Sequence, residues 1–134
     1  MKVELTEVID ALEFTNDEIE YYYNPDNGEI FMSNIEEFET LNEEELDELF
    51  EKSIKLPTRY DINEYEMMED FAETIKDDRL QNQLYISLNG SGAFRRFKDT
   101  CINFDIIDAW YKFRDKKYKE LAINWCKENN IEFE

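Results

Sequence analysis

Apolar residues in this chain recur mostly at every third or fourth position, the spacing that lays a stripe along one face of an α-helix. Residues 3–13 (VELTEVIDALE) set Leu5, Val8, Ile9 and Leu12 on one such face and predict a short opening helix. The period then falls to two. In EIEYYYNPDNGEIFMS, from Glu18 to Ser33, runs of β-branched and aromatic residues flank Pro25-Asp26-Asn27-Gly28. Proline presets φ and Asn-Gly accepts a positive φ, so a β-hairpin is predicted. The turn lacks the glycine and glutamate offsets of a calcium loop.

Helical spacing returns at Leu46, Leu49, Phe50 and Ile54, and again at Tyr65, Met68, Phe71, Ala72 and Ile75. Both helices open on one device. Asn42 and Asn63 stand where an N-cap belongs, with Glu45 and Glu66 three positions on. Leu41 with Leu46, and Ile62 with Met67, have the spacing of hydrophobic staples. Pro57 separates the two helices. Leu80, Leu84 and Leu88 carry a stripe through 78–88, and Asn89-Gly90-Ser91-Gly92 breaks it. A helix is predicted over 93–103. A longer one is predicted over 105–129, capped by Asp105 and striped by Trp110, Phe113, Leu121 and Trp125, with FRDKKYK as a place for an interrupting turn. IEFE at 131–134 predicts a short last strand. The class is α+β: a mainly helical single domain over 1–134, with a hairpin preceded by a short helix. Its acidic helix-hairpin-helix half spans 1–56 and its helical half 57–134.

Length agrees with one domain, since 134 residues hide roughly two-thirds of the unfolded surface. Ten Phe, eight Tyr and two Trp supply core bulk, and three Gly with two Pro argue against disorder. Charge changes the picture more. The net value is −19, and residues 1–56 hold 18 acids against Lys2, Lys52 and Lys55, a balance of −15. Residues 79–119 run the other way, with nine Lys/Arg against four Asp, net +5. Such a chain repels nucleic acid and anionic lipid at long range, so a nucleic-acid partner is disfavoured and a protein partner fits better. No apolar run nears the ~20 residues of a membrane span, and the N-terminus lacks a signal-peptide pattern. Cys101 and Cys126 have neither zinc nor disulfide spacing and follow apolar registers, as buried free thiols do. A cytoplasmic location is the expectation.

Histidine is absent, which removes the commonest general base and metal ligand. Carboxylates at i, i+3 and i+4 in NEEELDELFEK and NEYEMMEDFAE read as solvated helix faces, not as a metal or acid–base pair. No catalytic residue, metal or cofactor is therefore expected. SLNGSGAFRRFKDT (87–100) is the one stretch with the look of a site. Ser91 and Gly92 precede a helix N-terminus, and Arg95, Arg96 and Lys98 are placed to clamp an anion. Without P-loop length or lysine placement, the same residues also read as a structural turn whose arginines pair with the protein's own acids. Tyr21, Tyr22 and Tyr23 put an aromatic on both faces of a strand: one face is core, the other either a partner surface or covered by a helix.

LPTRYDINEYEMMEDF, GSGAFRRFKDT and AWYKFRDKKYKELAINWCKENNIEF resemble segments of the uncharacterised bacterial protein family numbered 0158. The likeness extends to the acidic Tyr/Phe-rich first half. It implies bacterial origin and no assigned activity, so it brings no catalytic residues. The leading expectation is a non-enzymatic protein-binding or regulatory module with an acidic surface. The alternative is a phosphate-type ligand or RNA-binding domain built on Gly-Ser-Gly-Ala-Phe-Arg-Arg.

Overall fold

The first helix begins two residues later than the 3–13 segment predicted for it, because Val3 is engaged elsewhere. In this computed structural model, which describes residues 2–34 and 39–134, α1 spans Leu5–Phe14 and buries Val8, Ala11 and Leu12. Val3 instead forms a parallel bridge with Phe133. Its N–H donates to Glu132 O at 2.9 Å, and Glu134 N–H donates back to Val3 O at 3.0 Å. The short last strand expected at IEFE is realised as this single bridge.

The described chain is α+β and mainly helical, with the hairpin where the period of two placed it. It divides into two compact units, Met1–Ile62 with Tyr118–Glu134, and Asn63–Lys117. Composition alone does not signal that the closing segment folds with the acidic front.

In the first unit, β1 (Tyr21–Asn24) pairs antiparallel with β2 (Glu29–Met32), placing Tyr23 opposite Ile30 and Tyr22 opposite Phe31. Gly28 supplies the positive φ of the turn, at 74°, and its N–H closes it on Asn24 O at 2.8 Å. Helix α2 (Glu43–Lys52) is capped by Asn42, whose side chain accepts from Glu45 N–H at 2.8 Å. Ile54, expected on that helix, lies beyond it. Ser53 is extended, and Ile54–Lys55 form β3, antiparallel to β1 with Ile54 opposite Tyr23. The strand order is β2-β1-β3. Helix α3 (Arg59–Ile62) follows, with Thr58 and Asp61 capping each other. Those Thr58 bonds hold the Asp61 carboxyl below its usual range.

The second unit holds α4 (Glu64–Thr74), α5 (Asp78–Ser87), α6 (Ala93–Asn103) and the first part of α7 (Ile107–Glu128). Asn63 caps α4 from a left-handed φ of 50°, and Asp77 caps α5. Glu66 returns to the Asn63 side-chain amide at 3.1 Å. Phe71, Phe97, Trp110 and Phe113 interlock at centroid distances of 5.1–6.4 Å, mostly edge to face. Arg114 meets Glu64 at 2.9 Å, both about one-fifth exposed.

Asp105 does not cap α7. It sits at φ 58° and closes α6 instead: Ile106 N–H reaches back to Cys101 O and Asp105 N–H to Ile102 O, the paired bonds of a Schellman ending. Asn130, at φ 55°, ends α7 with the same bonds to Cys126 and Lys127. FRDKKYK stays helical throughout.

Candidate functional site

Where do the carbonyls at the end of α5 go? A helix leaves its last four without intrahelical donors. Leu84 O accepts from Ser87 Oγ, Tyr85 O from Leu88 N–H, and Ile86 O from Asn89 N–H. Leu88 O accepts from the Tyr65 hydroxyl at 2.8 Å. The remaining carbonyls turn toward one guanidinium. Arg96 donates from Nε to Ser87 O at 3.2 Å, from Nη1 to Ser91 O, and from Nη2 to Asn89 O and Gly90 O.

The Asn-Gly-Ser-Gly corner is therefore a cradle of carbonyls around the chain's own cation. That polarity is opposite to a phosphate cradle, which aims N–H groups inward. Arg96 is held internally, by backbone carbonyls where carboxylates were expected. Gly92, the N-cap at φ 78°, takes a conformation side chains disfavour, and a Cβ there would lie 3.1 Å from Arg96 Nη1. Arg95 is 91% exposed and its nearest acid is Asp99 at 3.9 Å, a pairing worth little. Ser91 is exposed and Lys98 half-buried. The five residues thus share one corner, with one of the three cations engaged by the fold. Arg96→Ala is expected to cost about 1–2 kcal/mol, because exposed charge-assisted bonds are lost while water reaches some of the freed carbonyls. A urea melt measures it; an unchanged midpoint would contradict the carbonyl accounting.

The three tyrosines separate. Tyr23 is buried and meets Trp125 edge on at 6.1 Å. Tyr22, on the other face, stacks on Phe31 at 5.7 Å and is met by Phe50 of α2 at 5.1 Å, so a helix covers that face. Burial raises the Tyr22 pKa, and the Glu20 carboxylate adds to the rise. Tyr21 is half-buried and opens into a groove.

That groove lies between α1 and the hairpin, with a volume of about 590 Å³. Glu7, Asp10, Ala11 and Phe14 line it from α1; Tyr21, Gly28, Glu29 and Ile30 line it from the hairpin. Its lining holds three carboxylates and no cation, and Phe14 is 69% exposed. Two of the unit's lysines are engaged elsewhere: Lys52 pairs with Asp26, and Lys55 with Glu20 at 3.1 Å, the Glu20 bond raising the Lys55 pKa. Sequence reading passed over Glu7, Asp10 and Phe14. Their 7-10-14 spacing puts one large apolar residue on an otherwise acidic helix flank, the signal that marks them.

Both cysteines are buried and free. Burial pushes the Cys101 thiol up to about 11 and the Cys126 thiol in the same direction. Native protein at neutral pH should leave a thiol-specific reagent unconsumed until denaturant is added; rapid native labelling would contradict the burial. Among the described residues no group of three or more metal-ligating side chains occurs, and no helix is long and apolar enough to cross a membrane.

The chain belongs to the Uncharacterised protein family (UPF0158), whose family model matches residues 1–134. The likeness read from its sequence segments is thereby confirmed. No curated protein and no solved structure matches it.

Proposed function

We propose that this member of a family without assigned activity is a non-enzymatic, cytoplasmic protein-binding module, regulatory in kind, whose acidic front unit takes a cationic partner protein. One observation carries the reading: a groove walled by Glu7, Asp10 and Glu29 whose apolar surface includes an exposed Phe14. Carboxylates without a lining cation attract Lys and Arg, and the phenyl ring offers their aliphatic stems apolar area to cover. Exposed aromatic surface rimmed by one sign of charge is a feature of interaction sites. The cationic corner supports a structural role better than an anion site at Ser91, Gly92, Arg95, Arg96 and Lys98, since Arg96 is engaged by carbonyls.

Affinity capture from cell extract, with wild-type protein beside the Glu7→Lys, Asp10→Lys double variant, tests this. Both side chains are exposed, so the fold should tolerate the reversal. Partners should bind wild type at about 0.1 M salt and release near 1 M, where the screening length falls from about 10 Å to 3 Å. The variant should capture none of them. Equal capture by both proteins would refute the reading.

A further inference from the structure

Sheet register adds a property that charge alone does not carry. In an antiparallel ladder, alternate residues point their N–H and C=O to opposite sides. Tyr21 O accepts from Leu56 N–H on the β3 side, and Glu20 O accepts from Ser33 N–H on the β2 side. Tyr22 and Phe31 share the Glu20 and Ser33 phase. Ile30 and Met32 therefore direct their backbone groups away from β1. β2 is an outer strand of the sheet, so among the described residues no strand pairs with those groups. Ile30 and Glu29 of this strand also line the acidic groove, with α1 as the facing wall.

An open strand edge beside a helix flank takes an extended segment by strand addition: main-chain bonds supply affinity, and alternate side chains supply specificity. Here every second side chain of an added strand would face α1, where Ala11 and Phe14 meet an aliphatic stem and Asp10 and Glu7 meet its charged head. Resting on the function proposed above, we infer that the groove is a strand-addition site for an extended lysine- or arginine-bearing segment of a partner protein, docked on the β2 edge at Ile30 and Met32.

Fluorescence anisotropy with a labelled, amidated seven-residue peptide of alternating Lys and Val tests it. Wild-type protein should bind this peptide. Methylating every backbone amide nitrogen of the peptide keeps its charge and side chains, and should weaken binding at least about tenfold, the equivalent of one or two lost hydrogen bonds. Phe14→Ala and Asp10→Lys should each weaken the unmethylated peptide, and a peptide with Glu in place of Lys should not bind. If the methylated peptide binds as well as its parent while Asp10→Lys still abolishes both, strand addition is overturned and the acidic groove remains a cation-binding surface. If the parent peptide fails to bind wild type, strand addition is also overturned, and the capture experiment alone judges the broader function.

Discussion

Phe97→Ala should destabilise the protein by about 3–5 kcal/mol, the range for deleting a buried ring from a packed core. Phe97 has no exposed surface, and its ring lies 5.1 Å from Trp110 and 6.1 Å from Phe71, both edge on. Truncation removes the transfer energy of the ring and leaves a cavity walled by rigid aromatics, which cannot collapse into it. Trp110 compounds the loss, because it is itself fully buried and leans on Phe71 at 5.6 Å. The thermal midpoint should drop on the order of 10 °C. Phe97→Leu, which refills much of the space, should cost well under half as much. A loss below about 1 kcal/mol for the alanine variant would mean that the aromatic cluster is not packed as described.

Trp125→Ala should be comparably severe, for a different mixture of reasons. The indole is 6% exposed and packs edge on against Tyr23, while its Nε1 donates to Lys55 O at 3.0 Å. Truncation opens a cavity worth about 3–5 kcal/mol and strips a donor from a β3 carbonyl. Trp125→Phe separates the two parts. It keeps an aromatic against Tyr23 and loses the hydrogen bond, so about 1–2 kcal/mol is expected. Equal losses for the Ala and Phe variants, read from urea midpoints, would assign the whole effect to the hydrogen bond and contradict the packing account.

Local signals carried much of the fold. The apolar stripe and the Asn-Gly-Ser-Gly break located α6 at Ala93–Asn103. Asn42 and Asn63 cap as their spacing requires, because a cap is made with atoms three residues away. Signals failed where a non-local partner decides. Ile54 continues the helical spacing of Leu46 and Phe50, yet pairing with Tyr23 draws it into a strand. Asp105 suits both an N-cap and a left-handed helix ending, and the Ile106 bond back to Cys101 selects the second. The cradle around Arg96 was hidden for another reason: its acceptors are carbonyls, which every residue carries and no sequence letter marks. The groove was hard to find because Glu7 and Asp10 look like any solvated acids until Tyr21, Glu29 and Ile30 are placed across from them.

Two charged regions were legible at the outset, and the structure treats them differently. One guanidinium of the cationic corner is turned onto its own chain, whereas Glu7, Asp10 and Glu29 face a groove with no cation in its lining. The most direct measurement follows amide shifts of nitrogen-15-labelled protein as the lysine–valine peptide is added. Movement should concentrate on Glu7–Phe14 and Gly28–Met32. Movement centred on Ser91–Lys98, with the groove amides still, would contradict the account.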